Sequence, residues 1–197
     1  MTDLLLFMFA VAAVLSAPGP TNALLCTSAG LVGVTRSLPL ILAELGGYCI
    51  AISVMRLVGG PLIAAVPSFG LLLRVLLIGY LLLLSWRLWQ TDPALIRTDI
   101  RFITLRQVFV TTLLNPKALI FAFAIFPSPD AGRSIIPYAV IFTLVALLAS
   151  TGWITFGAII GRLGSDGQAR RLLPRLAAVV LSILACVIGA SLIAARV

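Results

Sequence analysis

Between Pro137 and Gly161 the chain runs for 25 residues without a charged side chain. As an α-helix such a run is about 37 Å long, enough to cross the roughly 30 Å hydrocarbon core of a bilayer. Five further runs have this character, and the six lie at about residues 4–34, 38–57, 68–88, 108–126, 137–161 and 173–195. Together they nearly exhaust the 197 residues, of which only 10% are charged. A chain so poor in charge cannot hide its apolar surface in one water-soluble globule. It reads as a single domain, residues 1–197, that is an all-α integral membrane protein of six transmembrane helices.

The net charge of +8 does not point to nucleic acid, because the arginines sit singly or in pairs at segment ends. They read as topology signals. The connections after spans 1, 3 and 5 hold Arg36, then Arg87, Arg97, Arg101 and Arg106, then Arg162, Arg170, Arg171 and Arg175. The opposite side holds Arg56, Arg133 and Arg196, with Arg74 nearby. The positive-inside rule then places both termini outside the cytoplasm. Trp86 and Trp89 flank Arg87 at the inner end of span 3, where interfacial aromatics belong. The first 17 residues differ from a signal peptide: no Lys or Arg precedes the apolar run, and Asp3 stands where positive charge is needed. That segment reads as the start of the first membrane helix.

Two of the runs are interrupted. Pro18-Gly19-Pro20-Thr21-Asn22-Ala23-Leu24 breaks span 1, and Asn115-Pro116-Lys117-Ala118-Leu119 breaks span 4. Pro20 and Pro116 are 96 positions apart, almost half the chain. Three spans per half make the halves cross in opposite senses, so the expected architecture is a 3+3 inverted repeat, residues 1–98 and 99–197. Proline-interrupted segments at matching positions of inverted halves point to a transporter binding site. A proline removes an amide donor and displaces the carbonyl four residues earlier, which would free the carbonyls of Val14, Ser16 and Thr112. In hydrocarbon such groups must be satisfied by protein, water or a ligand. Proline also favours the first position of a new helix, whose positive end suits a carboxylate. A site with both features matches an amino-acid zwitterion. Ordinary proline kinks are the plainer explanation of either break alone.

Two charges lie deep in predicted spans, Glu44 in span 2 and Lys117 in span 4. Such charges are paired or functional. A structural Glu44–Lys117 ion pair and a snorkelling lysine are the structural alternatives. The functional reading gives Lys117 the substrate carboxylate. With no histidine in the chain and the other acids at segment ends, it gives Glu44 proton coupling or contact with a cation. Arg74 reads as snorkelling from the outer end of span 3. The three cysteines, Cys26, Cys49 and Cys186, have no CxxC spacing and read as packing residues. No Ser/His/Asp set, metal-ligand cluster or Walker loop is present, so the chain reads as no enzyme, with no metal site and no cofactor. Small residues in span 2 (Ala43, Gly46, Gly47) and span 5 (Gly152, Gly157, Gly161) suit close helix approach. Ala94 to Gln107 reads as an amphipathic inner-surface helix or a plain loop.

The Pro18-Gly19-Pro20-Thr21-Asn22 break, the basic turn at Arg36, Gly79-Tyr80-Leu81-Leu82 and Leu114-Asn115-Pro116-Lys117-Ala118 together resemble the LysE/RhtB family of amino-acid exporters. The resemblance spans the chain. It implies a bacterial inner-membrane exporter of amino acids or their derivatives, driven by the proton gradient, with the lipid bilayer as surroundings and room for a homo-oligomer. It carries the family's motif positions onto Pro18, Gly19, Pro20, Asn22, Asn115, Pro116 and Lys117. Glu44 departs from the small and apolar residues usual there, which fits a cationic substrate or a different coupling residue. A heavy-metal or thiol exporter of the same superfamily using Cys26 and Cys49, and a non-transporting membrane subunit, are the alternatives.

Overall fold

In a computed structural model the structure describes residues 2–59, 67–90, 103–127, 134–163 and 168–194. The polar stretch from Ala94 falls mostly outside them, as do Arg97, Arg101, Arg133, Arg196 and the side chain of Arg74. The described residues form helices α1 (Thr2–Ser16), α2 (Pro20–Val32), α3 (Val34–Ser37), α4 (Pro39–Val54), α5 (Pro67–Trp89), α6 (Leu105–Leu113), α7 (Pro116–Ile120), α8 (Ile136–Leu163) and α9 (Gln168–Ala194). Two π-helical turns extend them: π1 (Met55–Gly59) continues α4 and π2 (Phe121–Ile125) continues α7. No strand occurs among the described residues.

Val34–Val58 and Ile136–Arg162 are long and apolar enough to cross a membrane, and α1 with α2 makes a third such segment if the bent pair counts as one. Ile78–Trp89 and Pro174–Ala190 are shorter apolar helices. The predicted first span of 31 residues is too long for one straight crossing, and the chain resolves this in two places. A bend of 62° separates Leu4–Ser16 from Pro20–Val32. Gly33, at φ 89°, then ends α2 in a conformation that L side chains rarely adopt. The predicted fourth span is likewise divided, into α6, α7 and π2.

Outward faces are apolar, with Leu42, Leu144, Leu148 and Val187 exposed, while Thr21, Asn22, Glu44, Thr112, Asn115, Lys117 and Ser150 are buried. Polar inside and apolar outside is the distribution that hydrocarbon surroundings favour. The main contacts alternate between the halves of the chain. α2 packs on α8, α6 packs on α4, and α5 packs on α9. Glycines make the first two approaches close. A Cβ at Gly157 would overlap the Cys26 backbone and one at Gly161 the Gly30 backbone, while one at Gly47 would stand 2.8 Å from Thr112 Cβ. On the third pair, the Ser85 hydroxyl lies 2.8 Å from both the Ala178 carbonyl and the Ser182 hydroxyl.

Candidate functional site

Both proline motifs form true breaks, and the two breaks meet. Pro20 opens α2 at its first turn, behind Gly19 in extended conformation. Pro18 lies between the helices, so neither proline clashes with a helix interior. The carbonyls in use at this break are therefore those of Leu15 and Ala17, in place of the Val14 and Ser16 carbonyls expected from the sequence. Asn22 Nδ2 donates to both, at 2.9 Å each. One amide group thus satisfies two C-terminal carbonyls of α1, which lets a helix end inside the protein. At the other break Pro116 opens α7, and Asn115 caps it by accepting the Lys117 N–H on Oδ1 at 3.0 Å. The Thr112 carbonyl, expected to be free, accepts the Asn115 N–H at 3.1 Å.

Lys117 joins the two halves. Its side chain is 8% exposed, and Nζ donates to the Ala17 carbonyl at 2.6 Å. The aliphatic end of the lysine runs across Gly19, where a Cβ would stand 3.0 Å from Cε. Glycine at this position is what lets the lysine reach the break. Beside this contact, a cavity of about 180 Å³ is lined by Pro18, Gly19 and Asn22 on one wall and by Trp153, Phe156 and Ala177 on the other. Of the residues expected from the sequence, Gly19, Pro20, Asn22, Asn115 and Lys117 are buried where the two breaks meet, Pro116 is half-buried and Pro18 is exposed at the rim.

Three further residues, Thr21, Thr112 and Tyr48, join this centre without having been singled out in the sequence. Asn115 Nδ2 donates to Thr21 Oγ1 at 3.2 Å, and Thr21 lies 3.1 Å from Thr112 Oγ1. The Thr112 hydroxyl donates to the Val108 carbonyl at 2.8 Å, so Thr21 must be the donor to Thr112. Asn115 also reaches the Tyr48 hydroxyl at 3.5 Å. The only sequence signal was adjacency, since Thr21 lies within the first motif and Thr112 just ahead of the second.

Glu44 sits apart from Lys117 in partner though not in field. It is 1% exposed and bonds Ser150 Oγ at 2.5 Å, while the lysine charge acts on it through space. Ser150 Oγ also lies 2.7 Å from the Ala146 carbonyl. One hydroxyl hydrogen cannot serve both acceptors. Either Ser150 donates to a Glu44 carboxylate, or it donates to Ala146 and accepts the proton of a neutral Glu44. The hydroxyl therefore has a good bond in each protonation state of the acid.

An aromatic wall closes the centre on the side of α8. The rings of Tyr48, Phe121 and Phe142 pack edge to face with centroids 5.0–5.7 Å apart, and Phe126 extends the row. Cys26 lines the small cavity, whereas Cys49 lines a different one beyond this wall. Among the described residues no group of three His, Cys, Asp or Glu could hold a metal ion. No family model, no curated protein and no solved structure matches the chain.

Proposed function

We propose that the chain is a secondary-active exporter of a small zwitterionic substrate, an amino acid or a derivative, coupled to proton entry across a bacterial inner membrane. The observation that carries this reading is the bond from Lys117 Nζ to the Ala17 carbonyl, made at the junction of two broken helices beside a small cavity. A zwitterion can replace that bond without leaving a charge unpaired. Its carboxylate takes the lysine ammonium, and its own ammonium takes the released carbonyl. The N-terminus of α2 adds positive potential on the carboxylate side. Glu44 is the coupling group, because Ser150 accommodates it with or without a proton.

The architecture that goes with this reading is six spans in two inverted halves. Packing of each half's broken segment on the second helix of the other half supports it. So does the Ser85–Ser182 contact, whose partners are 97 positions apart, almost the same offset as the two proline motifs. The resemblance to LysE/RhtB exporters points the same way, and with the arginine distribution the termini of a bacterial inner-membrane protein would be periplasmic.

The test is uptake of radiolabelled amino acids into proteoliposomes holding the purified chain, under an imposed proton gradient. Wild type should accumulate at least one of them. Lys117→Ala should lose binding, and Glu44→Gln should exchange substrate without responding to the gradient. Transport of cadmium or a small thiol, with no amino acid moving, would replace this reading by one built on Cys26.

A further inference from the structure

Beyond the aromatic wall lies a second cavity, of about 520 Å³, between the C-terminal end of α4 with π1 and the N-terminal end of α8. Its surfaces are mostly apolar, with Leu45, Ile52 and Leu57 on one side and Ile135 and Ala139 on the other. One cation, Arg56, faces it. Among the described residues that guanidinium is held by neutral groups alone. Nη1 donates to the Ala122 carbonyl at 3.2 Å, Nη2 donates to the Pro127 carbonyl at 2.5 Å, and the Phe126 ring centre is 5.7 Å away. These two bonds leave three of its five N–H donors for other use. Among the described residues no acid lines the cavity and no carboxylate pairs with Arg56. A positioned charge over an apolar cavity, with no counter-charge among them, is suited to an anion that brings its own apolar body.

The surroundings add two points. Both carbonyls that fix Arg56 belong to or follow π2, and π1 carries Arg56 itself, so two π-helical turns meet at this cavity. Such turns occur often at functional sites because they re-aim side chains out of helical register. Phe126 and Phe142 form both the cavity's floor and the outer face of the wall, so a ligand here does not touch Lys117.

We propose that this cavity is a binding site for an aliphatic carboxylate, its anionic head on Arg56 and its tail against α4 and α8. Its volume matches the size of small-ligand sites and accepts such a molecule whole. The site goes beyond the transport reading and stands without it, because it concerns binding alone.

Cys49 lines the same cavity and is exposed, which supplies a reporter. In the purified full chain carrying Cys26→Ser and Cys186→Ser, the rate of N-ethylmaleimide labelling at Cys49 reads occupancy. Hexanoate should slow labelling at least tenfold at saturation, and hexanol should not. Arg56→Gln should weaken that protection at least tenfold, with Arg56→Lys keeping part of it. Ala139→Phe fills the cavity from an exposed position on α8 and should abolish protection with Arg56 intact, so the proposal stays open to test if Arg56→Gln does not fold. Equal protection by hexanol, undiminished protection in Arg56→Gln or Ala139→Phe, or no protection by hexanoate each overturns it. So does protection by phosphatidylglycerol micelles alone, which would assign the cavity to bilayer lipid.

Discussion

Asn115 carries more of the centre than any other single side chain. Its oxygen caps α7, and its amide reaches Thr21 in the other half of the chain. Asn115→Ala should lower stability by about 2 kcal/mol, one part from the lost cap and one from the lost bond to Thr21. Asn115→Asp keeps the acceptor and should recover about half of that. Thermal unfolding in detergent checks both. Ser150→Ala deprives a buried acid of its hydrogen-bond partner and should cost about 1–3 kcal/mol by the same measurement. Glu44→Gln together with Ser150→Ala should cost less than the sum of the two, since the pair shares one contact. At this scale the sequence was informative about backbone and silent about partners. A proline acts on its own neighbourhood, so Pro18, Pro20 and Pro116 announce their breaks. The bonds of Thr21 to Thr112 and of Ser150 to Glu44 join residues 91 and 106 positions apart, and only helix packing decides them.

Helices in this chain are positioned by where side chains are missing. Gly157→Ala should place a methyl group into the Cys26 backbone and destabilise the fold by more than about 3 kcal/mol, or prevent accumulation of the protein altogether. Gly79→Ala and Gly152→Ala are the matching controls: a Cβ at either meets nothing within 4 Å, and both should stay within about 0.5 kcal/mol of wild type. The start of α6 gives a test away from the centre. Thr104 and Gln107 form a reciprocal capping box, with the Gln107 N–H donating to Thr104 Oγ1 at 3.1 Å and the Thr104 N–H donating to Gln107 Oε1 at 2.8 Å. Thr104→Ala should cost about 1 kcal/mol. Helix existence was legible from apolar runs, and the close approach of span 5 from Gly157 and Gly161, whereas Gly152, expected to share it, meets nothing. The π turns were not, because Met55–Gly59 and Phe121–Ile125 differ from ordinary helix by one extra residue per turn. In π2 this appears as the bond from the Phe126 N–H to the Phe121 carbonyl at 2.9 Å.

For the whole molecule, the arginine distribution makes a prediction about sidedness that packing cannot make. Reporter fusions after Gln90 and after Leu163 should be active as cytoplasmic fusions, and fusions at either terminus as periplasmic ones. The opposite pattern would remove the positive-inside argument. The 96-residue spacing of the prolines was visible in the sequence, while the contact of Ser85 with Ser182 was not, since serines are ordinary in such runs.

The backbone-to-backbone seam between α2 and α8 also limits how the molecule can move. With Gly157 on Cys26 and Gly161 on Gly30, two turns of one helix are keyed into the main chain of the other, and neither can slide by less than a full step. The two helices then behave as one plank. The places where the helical ladder is interrupted lie elsewhere, at the 62° elbow before Pro20 and at the two π turns. In mechanical terms the α2–α8 pair is the stiff member, and Lys117 is a latch that ties α7 to the elbow through the Ala17 carbonyl.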